Sequence, residues 1–514
     1  KFRKLFAPSN SAHDTYPALA MIYRDLNGRK WPRRGGWLTY LSRGTLQELD
    51  NGLVYGVKAK DGNVEHLNLP YNNLVGKIPT ALARLNSLKG LNLAGNYIQG
   101  IIPPELGCLL QLHTLQLQHN SLRDSISPLL GSLLSLNRLS LANNLLTGPI
   151  PDSFGQLVHL ESLSLENNRL SGEIPPSICR LTSLETINAS HNLLEGEFPP
   201  GMDSMTSLKK LDLGHNRLRG PLPVELSRLR NITLIRLEGN HLSGAIPQEY
   251  EALGNLVILN LSNNRLTGRI PRALRDLPQL IAVSIRGNLI DGTVPSDINE
   301  ARFVWKLDLG ENRLGGECPD LSNLRALKAL WLDNNSLVGG MESIRLDEMT
   351  NLVKLHLQRN RLKGPIPRGV GFLRRLEILD ISHNSIEGPL VDDLVLLESL
   401  RVLAASNNHL SGGLPEFLGS MTMLECLALD SNFLVGPIPA EIGGLTNLRR
   451  LYLERNDLEG SIPGELRRCS HLEELYLFHN RLSGCIPEGL RHLKELRYLY
   501  LYQNCLSGPV PEWL

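Results

Sequence analysis

The stretch Leu448–His471, LRRLYLERNDLEGSIPGELRRCSH, recurs almost position for position in the residues that follow it. A shift of 24 residues lays Leu448, Leu451, Leu453, Asn456, Leu458, Gly460, Ile462 and Pro463 over Leu472, Leu475, Leu477, Asn480, Leu482, Gly484, Ile486 and Pro487. The same frame runs back to Val64 and forward to Leu496, giving 19 copies of LxxLxLxxNxLxGxIPxxLxxLxx. Self-similarity at a fixed period of this size specifies a solenoid, in which each copy buries its apolar face against its neighbours.

Each position in the unit then has a fixed direction in space. The alternating LxxLxL predicts a short strand with its leucines inward, and parallel strands from successive copies, about 4.8 Å apart, form one sheet. Asn follows in all 19 copies, from Asn72 to Asn504. A carboxamide both donates and accepts, so a stacked Asn ladder satisfies the buried backbone groups of the bend. The next Gly is present in 18 copies and replaced only by Asp124, which points to a backbone conformation costly for other residues. The Ile-Pro segment keeps its Pro in 16 copies, the exceptions being Ser127, Glu342 and Val391. It reads as a second extended segment on the flank, and xxLxxLxx as a short helical or 3₁₀ turn along the convex side. Copy 11, from Val304, has 23 residues and copy 12, from Leu327, has 25, so the frame resumes at Leu352. Copy 12 also lacks the Pro and carries MESIRLDEM in its return segment.

The repeat overrides the several domains that 514 residues would otherwise suggest, because a stack grows by adding neighbours. With 53 basic and 52 acidic residues the net charge is +1, which gives no electrostatic reason to expect nucleic acid or an anionic membrane as partner. No apolar run approaches the roughly 18 residues of a membrane span. Of the seven cysteines only Cys485 and Cys505 approach a pairing arrangement, and they lie four positions apart along the unit in adjacent copies. Free thiols are the expectation. The last copy stops at Leu514 without a polar cap, so the chain reads as a segment of a longer protein.

Residues 1–63 do not fit the frame and are expected to cap the open end of the solenoid at 64–514. Asp14 is placed to cap a helix whose apolar residues Leu19, Ile22, Tyr23 and Leu26 share one face, with Pro17 in its first turn and Asn27-Gly28 ending it. Trp31, Trp37 and a hairpin around Asp61-Gly62 would complete the cap, and the basic cluster Arg29, Lys30, Arg33 and Arg34 reads as a solvated loop.

The LxGxIP string, the Asn ladder and the 24-residue period resemble the plant-type leucine-rich repeat of receptor-like kinases, receptor-like proteins and polygalacturonase-inhibiting proteins. The resemblance implies an α/β solenoid, a right-handed superhelix with a parallel β-sheet on its concave face, binding through exposed strand residues, and a secreted or cell-surface location. The first segment resembles that family's cap through Ala18-Leu19, Trp37, Tyr55-Gly56-Val57 and Asp61-Gly62-Asn63-Val64. It departs by lacking the paired cysteines, and is closer to the cysteine-free cap of algal, oomycete and bacterial members. Four glycosylation sequons, at Asn188, Asn231, Asn260 and Asn334, are about what chance gives in a chain so rich in Asn, Ser and Thr.

Function has to sit in the positions the repeat leaves free. One concave position carries Asn68, Asn92, Gln116, Ser140, Ser164 and Asn188 in early copies, but Tyr452, Tyr476 and Tyr500 in the last three. Tyr498, Phe478 and Tyr502 flank this ladder, interleaved with Arg450, Arg455 and Glu474. Tyr and Arg are the residue types that anchor protein interfaces, although Tyr also serves simply as a good strand residue. A second candidate patch, Trp305, Trp331 and His356, falls on the irregular copies. His191 and His215 occupy one position in adjacent copies, but Asn167 and Gly239 supply no further ligand for a metal. No nucleophile elbow, phosphate loop or zinc spacing appears, so neither catalysis nor a cofactor is expected. The expected function is a non-catalytic recognition module for a protein, peptide or saccharide, extracellular or on the cell surface. An intracellular scaffold within a larger assembly is the alternative.

Overall fold

In the computed structural model, which describes residues 15–43 and 46–514, the LxxLxL segment of each copy forms a three-residue strand hydrogen-bonded in parallel to the next. The chain divides into two units, Lys1–Asn264 and Arg265–Leu514. In the first, strands from Asn63–Asn68 through Ile258–Asn260 build the sheet, and in the second they run from Ala282–Ser284 to Tyr498–Tyr500. Register is exact in the repeat frame: Leu451 pairs with Leu475, and Leu163 with Ile187. The leucines of the strands are buried except in the last copy, whereas most residues between them are half-buried or exposed on the concave side.

Behind the sheet, the Gly-containing segments pair into further parallel ladders along the flank, and five-residue 3₁₀ turns such as Gly464–Arg468 return the chain. Their inward Leu residues, Leu466 and Leu490 among them, close the core from the convex side. Buried Phe154 and Tyr250 take that position in two copies of the first unit. The return segment of copy 12 is split into two shorter turns, Met341–Ile344 and Leu346–Glu348, joined at Arg345 with φ 56°. There the extra residue of that copy is absorbed.

The Asn ladder holds the bend between strand and flank. Nδ2 of Asn408 donates to the carbonyl of Ala405 in its own copy at 3.1 Å and to that of Ile381 in the preceding copy at 3.0 Å. Its Oδ1 accepts from the amide of Ile386, also in the preceding copy, at 3.0 Å. The residue just before the ladder Asn is left-handed throughout, whether Gly239 at φ 65° or non-glycines such as His191 and Arg455 at φ 53° and 55°. The Gly of LxG is also left-handed, with φ 77° at Gly460, and Asp124 holds the same conformation at φ 68°.

In the first unit, the helix Thr15–Asp25 buries Leu19, Ile22 and Tyr23, and Asn27 ends it with φ 58°. Asp14, its expected N-cap, lies outside the described residues. Tyr23, Trp31 and Trp37 pack ring to ring at 5.2–5.7 Å, and the two indoles donate to the carbonyls of Leu26 and Tyr55. The hairpin Val57–Lys60/Asn63–Asn68 turns at Asp61-Gly62 and feeds directly into the sheet. Arg33 takes the place of a preceding copy, its amide and carbonyl bonding the side chain of Asn72, the first ladder residue. Part of the basic cluster is therefore held at the ladder's start.

An ion pair joins copies 10 and 12 across the short copy 11. The guanidinium of Arg286, in copy 10, passes over Gly310 of copy 11 and grips the Asp333 carboxylate of copy 12 through two bonds of 2.9 and 2.7 Å. A Cβ on Gly310 would come within 2.7 Å of both partners, so only Gly leaves room for the crossing. The Asp333 side chain is 1% exposed. Burial alone would raise its pKa, but the bonds from Arg286 and Asn334 outweigh that and hold the carboxyl below its usual range.

Three outcomes follow from this framework. Asn408→Ala takes the ladder acceptor from the Ile386 amide and one of two ladder donors from the Ile381 and Ala405 carbonyls, which keep Asn384 and Asn432, and should cost about 2 kcal/mol in denaturant unfolding. Asp124→Gly relieves a left-handed non-glycine and should raise stability by about 0.5 kcal/mol. Arg286→Ala leaves a buried carboxylate unpaired and should cost about 3 kcal/mol at neutral pH. Because the Asp333 pKa is depressed on folding, its contribution is present above the unfolded value and disappears as pH falls through the folded one. The Arg286→Ala deficit, followed by unfolding at a series of pH values, should shrink under acid.

Candidate functional site

Tyr452, Tyr476 and Tyr500 end three consecutive strands in exact register. Their ring centroids stand 4.9 and 4.7 Å apart, tilted by 38° and 33°. This is the ordinary strand spacing filled by aromatic contact. On one side runs the column Arg450, Glu474 and Tyr498, in register on the same strands. The Tyr452 hydroxyl donates to Glu474 at 2.6 Å, so that carboxylate braces the ladder. Burial, and next the bond to Glu474, raise the pKa of Tyr452 and push that of Tyr476 up to about 12.

On the other side of the ladder lie Phe478 and Tyr502, stacked at 4.6 Å with planes 12° apart. Phe478 also meets the edge of Tyr500 at 6.4 Å. Two aromatic columns thus join into one surface, with Tyr498, Tyr500 and Tyr502 respectively 49, 42 and 55% exposed. Arg455 occupies the left-handed turn position and lines a shallow hollow on the flank with Phe433, Asp457 and His479, and its charge acts on Glu454.

Asp430 and Glu454 continue the Phe478 column into the two preceding copies. Asp430 accepts from Ser406 and from Ser431. One oxygen of Glu454, Oε2, is buried without a hydrogen-bond partner. Desolvation above all, with repulsion from Asp430, pushes the Glu454 carboxyl up to about 7.

The second patch is only partly assembled. Trp331 and His356 pair in register and stack at 5.8 Å with planes 7° apart, and the Lys306 ammonium lies 5.3 Å from the Trp331 ring. Burial lowers the His356 pKa, leaving a neutral imidazole against the indole. Trp305, placed on a strand by its sequence position, instead sits one residue ahead of Lys306–Asp308 and is 41% exposed. The strand of this copy starts at the third repeat position, as in Arg450–Tyr452 and Glu474–Tyr476, so the second position lies just ahead of it. Arg286 and Asp333 lie in the same area, and sequence reasoning missed them. The signal was Arg, Gly and Asp at one repeat position in three consecutive copies.

His191 and His215 stack at 4.3 Å. Among the described residues, no group of three or more His, Cys, Asp or Glu is arranged to hold a metal ion. The seven cysteines carry free thiols, with Cys485 and Cys505 exposed. No helix among the described residues is long and apolar enough to cross a membrane.

Family models described as leucine-rich repeat region and leucine rich repeat match residues 311–514, 62–122 and 134–194, and a further leucine rich repeat model matches 207–229 and 255–277. A probable LRR receptor-like serine/threonine-protein kinase of Arabidopsis thaliana is 38% identical over 65 residues, 12% of this chain and 7% of that protein. Among solved structures, the LRR ectodomain of the Arabidopsis membrane receptor kinase GASSHO1/SCHENGEN3, in complex with CASPARIAN STRIP INTEGRITY FACTOR 2, aligns with TM-score 0.88 and 33% identity over 98% of this chain and 62% of that one. The plant peptide hormone receptor RGFR1, in complex with RGF2, aligns with TM-score 0.81 and 33% identity over 84% of this chain and 70% of that one. This chain therefore spans less than two thirds of the GASSHO1 ectodomain and a small part of the curated kinase. With its Asn ladder, LxGxIP segments and register all of one kind, the chain belongs to the leucine-rich repeat family, in the form found in plant receptor-kinase ectodomains.

Proposed function

We propose that this chain is a receptor-like binding module without catalytic chemistry, which takes a peptide or protein on the concave face of its second unit. Residues 1–63 cap the solenoid at 64–514 in this reading. The observation that carries it is the aromatic surface built by Tyr452, Tyr476, Tyr500, Phe478 and Tyr502, in contact from ring to ring yet open to solvent. Tyr498, Arg450 and Glu474 border it. Large aromatic side chains with a polar tip release much area from water and lose little conformational freedom when already packed on one another. The structures of GASSHO1 and RGFR1 with their bound factors support the peptide class.

The Trp331–His356 pair is a smaller contact point in the same reading, with exposed Trp305 beside it. The free thiols favour a second reading, an intracellular scaffold whose contacts use any face. Asn231 separates the two, since it is the exposed sequon, whereas Asn188 and Asn260 sit within the concave strands. Glycan mass on Asn231 in protein from its native source would establish passage through a secretory compartment, and unmodified Asn231 favours the scaffold.

Binding itself is tested with short peptides selected from a random display library on the intact chain. Replacing Tyr452, Tyr476 and Tyr500 together by Ala should weaken the selected peptides by roughly a hundredfold, with circular dichroism unchanged. Equal affinity for both proteins would remove the ladder from the binding surface.

A further inference from the structure

Five of the chain's twelve tyrosines stand in the last three copies. They are also continuous as chemistry. Tyr476 lies 4.7 Å from Tyr500 and 4.9 Å from Tyr452, centroid to centroid, and Tyr500 lies 6.3 Å from Tyr502. A phenol is among the side chains that give up a single electron most readily, so phenols in contact offer more than apolar area. Two of them can be oxidised together and joined.

The remaining tyrosines show which conditions are special to this place. Tyr71 and Tyr97 are more exposed, at 66 and 64%, but neither meets another aromatic ring among the described residues. Tyr16 and Tyr40 do pair, at 5.7 Å, yet Tyr40 is fully buried. At the ladder, contact and access coincide: Tyr500 is exposed and its partner Tyr476 half-buried. Glu474, on the same strand as Tyr476, accepts from the Tyr452 hydroxyl at 2.6 Å and engages the Tyr476 hydroxyl as well. A carboxylate is therefore in reach to take a phenolic proton as the electron leaves.

We infer that Tyr476 and Tyr500 are a site of oxidative coupling, joined ring to ring by a one-electron oxidant of the peroxidase class acting with hydrogen peroxide. The oxidant takes an electron from the exposed Tyr500, whose proton goes to water. The resulting phenoxyl radical exchanges with Tyr476 across their contact: Glu474 takes the Tyr476 proton and passes it to solvent, Tyr500 regains one from water, and Tyr500 is then oxidised a second time. The two radicals pair through the carbons ortho to their oxygens, and each ring shifts its ortho hydrogen to oxygen, restoring the phenol. In sum, two ring C–H bonds and one peroxide O–O bond break, and one C–C bond and two molecules of water form. Because the sheet holds the pair in register, no encounter step is needed and coupling stays within one molecule. The site requires no ligand, so it stands apart from the recognition reading.

The test treats the intact chain, its thiols first alkylated, with a haem peroxidase and hydrogen peroxide. Trypsin leaves Tyr476 as the sole tyrosine of 469–481 and places Tyr500 in 498–514. Monomeric product should yield these two peptides joined, with the loss of two hydrogens. Tyr500→Phe, which keeps the ring, should lower that species about tenfold, whereas Tyr498→Phe and Tyr502→Phe should leave it in place. Glu474→Gln, which cannot take the proton, should slow its formation several-fold with circular dichroism unchanged, and an unchanged rate would remove the carboxylate from the step. Oxidation that reaches Tyr71 or Tyr97 while 469–481 stays unjoined overturns the coupling site. So does a joined species that survives Tyr500→Phe or forms only between molecules.

Discussion

The bend after each strand is the constraint on which the rest depends. A solenoid must turn its chain within a dry interior, and every turn exposes amides and carbonyls that water cannot reach. Here one carboxamide per copy meets that demand, and it does so across the boundary between copies. Nδ2 of Asn480 donates to the carbonyls of Leu477 and Leu453, and its Oδ1 accepts from the amide of Leu458. Stacking and turning are therefore one interaction. The left-handed residue before the Asn, the glycine after the next Leu and the flank ladder all follow from where that carboxamide fixes the backbone.

Because the bend and the inward leucines hold the fold, the concave side chains are released from structural duty. In most copies that freedom is spent on small polar residues, and at the end of the second unit on aromatics. The change is abrupt: Ala404 and Ala428 lead directly to Tyr452, Tyr476 and Tyr500 along one register line. Rings already in contact with one another are ordered before any ligand arrives, which lowers the entropic cost of binding.

The fold was legible in the sequence because the repeat states every position many times over. Strand, ladder, flank and turn fell where the period placed them, and the strain expected at the LxG glycine is visible in φ, including at Asp124. The tyrosine ladder was legible for the same reason, since equal repeat positions become neighbours. What escaped was everything decided by side-chain length and rotamer. Arg455 has the right sequence neighbours but leaves from a left-handed turn, and Trp305 is one residue outside the strand that its position in the frame suggested. The unpaired oxygen of Glu454 is likewise a matter of its surroundings, which the repeat frame does not specify.

The Arg286–Asp333 bridge has a consequence for how the second unit comes apart. A stack in which each copy touches only its neighbours melts like a one-dimensional chain of coupled elements, and any boundary between copies can open independently. A bond that skips a copy adds a next-nearest term to that chain. Copy 11, the shortest, cannot fray from either side without breaking the bridge above it, so copies 10 to 12 are tied into a single foldon. The copy that is one residue short thus lies inside a block held together from both sides.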